Sequence, residues 1–287
     1  MALRDLLVYV DQTEGALARL RLTIDLASRH ASRLTALYVK ERSPTQLHDR
    51  GTAEMGLVSA AELARLDSRI EESIERAAER LRSVLEASGR ERGLQTEWRC
   101  VEGPASVVVP QQARCADLCI VSRDAPADGN SVAYTFCDQL LFDTGRPVLF
   151  VPDSGSFATL GRHIAVAWDS SRAAVRAVND ALPLIERAER TTVLAVNPGD
   201  FLDRHGAVPV AQMVEHLRRH SGSVEAVQLE DVPTGSIGDA LQGEACRLGA
   251  DLIVAGAFGH PKLLETLVGG VTRDLLARMR LPMVMSH

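Results

Sequence analysis

Residues 5–11 read DLLVYVD and residues 163–169 read HIAVAWD. Each is an apolar run that ends on an aspartate, and each leads into small polar residues and then an amphipathic stretch. In the first copy Thr13 or Glu14 opens a helix with Leu17, Leu20, Ile24 and Ala27 along one side. In the second, Ser171 opens a helix with Val175, Val178, Leu182 and Ile185. Spacings of three and four place an apolar stripe toward a core. The runs that follow keep the same order in both copies: Leu34–Val39 and Thr191–Val196, Ala116-Asp117-Leu118 and Ala250-Asp251-Leu252, Pro147-Val-Leu-Phe and Pro282-Met-Val-Met. Strands alternating with helices predict βαβ units and a parallel sheet, here twice over.

The 287 residues suffice for two domains of ordinary size, expected at 1–152 and 162–287. The segment Asp153–Gly161, DSGSFATLG, has the composition of a linker. The spacing from Asp11 to Asp117 exceeds that from Asp169 to Asp251 by 24 residues, most of them after Val39. That excess predicts an irregular stretch and a long helix. Ser59 and Glu62 form its capping box, and Leu63, Leu66, Ile70, Ile74, Leu81 and Leu85 its apolar stripe. Hydrophobic residues are 46% of the chain and aromatics only 4%, so the core is mostly aliphatic, as suits buried parallel strands.

Composition also excludes functions. The net charge of −6 and the lack of a basic run argue against a nucleic-acid footprint. The first apolar run breaks at Asp11, too early for a secretory signal or a membrane span. No membrane association and a cytoplasmic location are therefore expected. The five cysteines are odd in number and scattered, the pattern of small buried thiols rather than a disulfide framework, although Cys115 and Cys119 could neighbour each other near a helix end.

The most specific signal lies near the end of the chain. Leu252–Ala255 reads as a buried strand, followed by Gly256-x2-Gly259-x9-Gly269-Gly270, then Val271, Thr272 and a helical pattern. Glycines after a strand let backbone approach a ligand, and a helix N-terminus offers free N–H groups to phosphate. His260 and Lys262 within the loop are either solvated or directed at phosphate. Arg273 in the first helical turn opposes the helix dipole unless an anion lies near, or a surface pair forms with Asp274 or Glu265.

This segment resembles the ATP-binding signature of universal stress proteins: two glycines three apart, a third ten residues on, then Ser or Thr. Gly256, Gly259 and Gly269 match; Gly270 stands where the hydroxyl residue belongs, and Thr272 is a candidate replacement. The resemblance implies an α/β fold of two Rossmann-like (adenine nucleotide alpha hydrolase-like) domains. Each would be an open five-stranded parallel sheet flanked by helices, with the two packed as a pseudo-dimer, often through their last strands. Here that pairing could form within one chain, and a homodimer is also possible. It implies an adenine nucleotide, ATP or else AMP or ADP, with magnesium, in the C-terminal domain only. The residues it points to are Ala167, Trp168, Asp169, Val196, Gly256, Gly259, His260, Gly269, Gly270, Val271 and Thr272. Asp169 would face ribose or adenine, or cap the next helix through the Ser170 and Ser171 N–H groups; one carboxylate can do both. Backbone at Ala195 and Val196 would hold adenine.

The first copy differs at the corresponding place. From Ser122 it reads SRDAPADGNSVAYTFCDQLLFDTG, without the glycines. Tyr134, Thr135 and Phe136 fall near the place of Gly269 and Gly270, and Asp124 and Asp128 would repel phosphate. The first copy is expected to keep the fold and to have lost the site, with Asp11 a helix cap or a relic. Gly103-Pro104-Ala105 and Gly235-Ser236 mark helix starts in the two copies. The chain has no P-loop, no Ser-Gly-Gly-x-Asp-Ser loop of ATP pyrophosphatases, no nucleophile elbow and no histidine spacing for a metal. A nucleotide sensor is expected rather than an enzyme. A stress adaptor that binds no nucleotide and a slow nucleotidase are the alternatives.

Overall fold

The computed structural model describes residues 2–40, 60–123, 136–152, 155, 157–199, 208–258 and 270–287. Ser59, Asp124, Asp128, Tyr134, Thr135, Gly259, His260, Lys262, Glu265 and Gly269 lie outside the described residues, as do the side chains of Glu62, Leu63, Leu66 and Ile70.

The first half runs β1 (Asp5–Val10), α1 (Gly15–His30), β2 (Arg33–Lys40), α2 (Ala60–Arg92), β3 (Thr96–Glu102), α3 (Ala105–Ala113), β4 (Leu118–Ser122), α4 (Phe136–Asp143) and β5 (Val148–Val151). The second runs β6 (His163–Ala167), α5 (Arg172–Ile185), β7 (Arg190–Val196), α6 (Val210–Leu217), β8 (Val224–Leu229), a 3-10 turn (Thr234–Ser236), α7 (Ile237–Arg247), β9 (Leu252–Gly256), α8 (Gly270–Ala277) and β10 (Met283–Ser286). The two halves follow a similar order of elements, with helix starts at Ala105 and after Ser236.

All ten strands form one sheet, in the order β3-β2-β1-β4-β5-β10-β9-β6-β7-β8. Pairing is parallel within each half. The halves join where β5 meets β10 in the antiparallel sense, Met283 opposite Phe150 and Met285 opposite Val148. The expected five-stranded sheets are therefore joined edge to edge, which removes one unpaired edge from each.

Helices cover both faces. One core contains Leu20 and Ile24 of α1, Leu81 and Leu85 of α2, Val178 of α5 and Met213 of α6. The other contains Val109 of α3, Leu140 of α4, Leu241 of α7 and Leu275 of α8. Each core runs through both halves. The outer strands β3 and β8 are mostly half-buried or exposed, unlike β4 or β9, whose apolar runs are buried on both faces. Further side chains lock the halves together. The Arg123 guanidinium donates to the carbonyl of Leu276 at 3.1 Å and also to that of Ala277, satisfying the last turn of α8. Arg176 on α5 donates to Gly145 O at 3.1 Å.

The cysteine expectation needs correction. Cys119 and Cys137 are buried, but Cys100, Cys115 and Cys246 are exposed, and none is in a disulfide. Cys119 points into the core from β4, where burial pushes its thiol pKa up to about 12.

Candidate functional site

In an open parallel sheet, ligands gather at the carboxyl ends of the strands. In the second half that edge carries an unusual concentration of backbone strain. Among the described residues, five non-glycine residues have positive φ, and four of them follow the strands β6 to β9: Ser170 (61°), Asn197 (47°), Asp231 (57°) and Phe258 (51°). Such conformations persist only where neighbours over-determine them, and they cluster at functional sites. Ser170 Oγ accepts from Val208 N at 2.6 Å. The Asn197 side chain brackets Val232, donating to its carbonyl at 2.7 Å and accepting from its N–H at 3.0 Å. Phe258 N donates to Thr272 Oγ1 at 3.1 Å.

Asp169 follows β6 on the exposed edge, and its Oδ1 accepts from Ser171 N at 2.9 Å. Ser171 in turn caps α5 by accepting from Ala174 N at 3.1 Å. The cap of α5 is thus Ser171; Asp169 closes the turn before it through one carboxylate oxygen, and Ser170 turns left-handed.

The expected contact residues separate into three groups. Ala167 and Val196, half-buried, end β6 and β7 and offer backbone to the edge. Trp168 is a core residue, 2% exposed, whose Nε1 donates to Val208 O at 3.2 Å; its ring is committed to the fold. Gly256 ends β9. A Cβ there would lie 2.5 Å from Ala173 C and 2.9 Å from Ala173 Cβ, so the close approach it permits is to the first turn of α5.

At the start of α8, Gly270 is exposed, and a Cβ there would meet nothing within 4 Å. Val271 packs against the core. Thr272 is 6% exposed, and its hydroxyl oxygen accepts from Phe258 N, which ties the strand turn to the helix. Arg273 pairs with Asp138 of α4 in the first half, at 4.0 Å, rather than with Asp274. That cross-half contact, invisible to local pattern, provides an anion for a cation in a first turn.

Comparing the registers of the two halves aligns Tyr9 with Ala167, Asp11 with Asp169, Arg19 with Ala177 and Tyr38 with Ala195. Three large side chains around the first aspartate are three alanines around the second. In the first half Arg19, 1% exposed, donates to Asp11 Oδ2 at 2.9 Å and to Tyr9 O at 2.9 Å. Asp11 Oδ1 accepts from Thr13 N at 3.0 Å and from Thr13 Oγ1 at 2.5 Å. Asp11 is thus saturated where Asp169 is open.

Over 98% of this chain and 97% of its own, a universal stress protein from Archaeoglobus fulgidus DSM 4304 superposes at a TM-score of 0.67 with 16% identity. The chain has the universal stress protein fold. A putative universal stress protein from Pseudomonas aeruginosa UCBPP-PA14 matches 99% of this chain and 93% of its own, at 0.56 and 16% identity. A functionally unknown protein from Pseudomonas aeruginosa PAO1 does so over 99% and 92%, at 0.57 and 16% identity. No protein-family model and no curated relative matches the sequence. Among the described residues, this universal stress protein fold carries no group of three or more metal-ligating side chains and no helix long and apolar enough to cross a membrane.

Proposed function

We propose that the chain is a tandem universal stress protein with units at 1–152 and 162–287. Its second unit binds ATP or a related adenine nucleotide with magnesium, as a cytoplasmic sensor rather than an enzyme. One observation carries this reading: the segment bearing Gly259 and Gly269 joins the carboxyl end of β9 to the open N-terminus of α8. Gly256, at the end of β9, packs on the first turn of α5, just after the strained turn that presents Asp169. The first N–H groups of a helix have no intrahelical acceptors, and a phosphate supplies them. Asp169 would accept from ribose hydroxyls, and Ala167 and Val196 would offer backbone along the base. Ala177 and Ala195 lie at the positions that Arg19 and Tyr38 fill in the first half.

The experiment is acid extraction of the purified protein followed by calorimetric titration with ATP and magnesium. A nucleotide in the extract, or saturable heat at one site per chain, supports the reading. Absence of both overturns it.

A second reading is a stress adaptor that binds no nucleotide. It is favoured by the missing hydroxyl at Gly270 together with the inward use of the Thr272 hydroxyl. It predicts binding only after Gly270→Ser. A slow nucleotidase, the third reading, predicts turnover that is lost in Asp169→Ala.

A further inference from the structure

Contrary to the expectation from sequence, one pair of histidines has the spacing of a metal chelate, His216-x3-His220. Two histidines four apart on a helix share one face, the arrangement by which helical pairs hold zinc. His216 lies in the last turn of α6, and His220 just beyond it. Helical bonding continues through both: Arg218 N donates to Val214 O and Ser221 N to Leu217 O, each at 2.9 Å. The two rings therefore stay one turn apart, with centroids separated by 5.1 Å and planes at 57°. Two imidazoles that share a tetrahedral zinc at its usual nitrogen distance have centroids about 5 Å apart. Both side chains are half-buried, so an ion can reach them, and among the described residues neither ring makes a hydrogen bond.

We infer that His216 and His220 together chelate a divalent transition-metal ion of the zinc class, and that Glu186 orients His220 for it. The protein supplies two ligands rather than three, and water completes the coordination. Imidazole nitrogen selects zinc, nickel or copper, whereas magnesium and calcium demand oxygen. Glu186 comes from another element, the end of α5, and its Oε1 lies 3.6 Å from His220 Nδ1. That is an ion-pair distance rather than a hydrogen bond. A carboxylate beside Nδ1 favours the proton on that nitrogen and leaves the Nε2 lone pair to the ion, as in carboxylate–histidine–zinc arrangements. The helix dipole acts in the same direction, because the pair sits at the C-terminus of α6, where positive charge is stabilised. The neighbouring charges are mixed. Arg218 is paired with Glu215 at 2.7 Å, which leaves Arg219 as the opposing charge beside His216. The inference does not depend on nucleotide binding by the second half.

The test is calorimetric titration of the full chain with zinc chloride, after treatment with a chelator and its removal. Cys100, Cys115 and Cys246 are replaced by serine throughout, since exposed thiols would compete for the ion. The expected result is saturable binding of one zinc per chain. His216→Ala and His220→Ala should each weaken it at least about tenfold, no less than the loss of an orienting residue costs. Both side chains are half-buried at the end of a helix, so the circular dichroism spectrum should be retained. Glu186→Gln should weaken zinc about tenfold. Glu215→Gln removes an equal charge next to His216 and should change affinity by less than about threefold, the size of an exposed charge effect. No saturable zinc binding, or binding that survives both histidine substitutions, would overturn the inference. Equal losses in the Glu186 and Glu215 variants would overturn the orienting role of Glu186.

Discussion

A side-chain carbon at Gly256 would stand 2.5 Å from the carbonyl carbon of Ala173. The end of β9 and the first turn of α5 therefore touch backbone to backbone, close to the turn that carries Asp169. Gly256→Ala forces backbone apart rather than a flexible side chain aside. It should destabilise the fold by about 3 kcal/mol, the upper part of the usual overpacking range. Chemical denaturation checks this, and a loss below about 0.5 kcal/mol would show that α5 can shift freely.

Gly270 offers the opposite case, with open space where its Cβ would be. Gly270→Ser should leave the denaturation midpoint unchanged or slightly higher, since glycine in a helix is unfavourable. It should also tighten ATP binding by supplying the absent hydroxyl. Gly259→Val should abolish binding with the circular dichroism spectrum retained, whereas Gly129→Val in the first half should leave it intact. Calorimetric titration of the three variants would reverse the assignment of roles if the Gly129 variant alone lost binding.

Asp11 and Asp169 occupy equivalent turns, but their removal should differ in kind. Asp11→Ala strands the buried Arg19 guanidinium, and such uncompensated charges cost about 3–5 kcal/mol. Asp169→Ala loses one cap-type bond at an exposed turn, about 1 kcal/mol. Thermal melts of the two variants should separate clearly, and equal losses would mean that Arg19 finds another partner.

Stability should fall on mild acidification. His30 ends α1, where burial first, and then the neighbouring Arg187 and Arg29, push its pKa from 6.5 down to about 4. The unfolded chain therefore binds this proton more readily than the folded one. The stabilisation is complete above pH 6.5 and is lost as pH falls toward 4. Screening at this half-exposed site limits the effect to about 1 kcal/mol. His163 and His216, also lowered by burial, act in the same direction. Denaturation midpoints at pH 7 and pH 5 measure the drop, and His30→Gln should reduce it; an unchanged pH dependence would place the effect elsewhere.

Much of the fold is legible in the sequence because each buried strand and each amphipathic helix states its own environment. Leu252–Gly256 is apolar because both of its faces are covered, and α5 shows Val178 and Ile185 at helical spacing because one side packs inward. The edge strands β3 and β8 were not legible. Residues TEWRCVE and VEAVQL mix polar and apolar positions, since only part of each is covered. At the site, the aspartate ending each first strand and the capping role of Ser171 could be read locally. The use of the Thr272 hydroxyl, the packing role of Gly256 and the partner of Arg273 could not.

The sequence by itself determined the order of the buried strands and most amphipathic helices, their repetition and the aspartate turn in each copy, because all of these rest on contacts between near neighbours in the chain. Only the tertiary structure decided that β5 and β10 pair antiparallel into one sheet, and that Arg273 meets Asp138 from the other half. Only it decided that Arg19 closes on Asp11, where the second half has an alanine in place of the arginine. These are relations between side chains carried by different elements. Their geometry follows from how the sheet brings those elements together, which no single segment encodes.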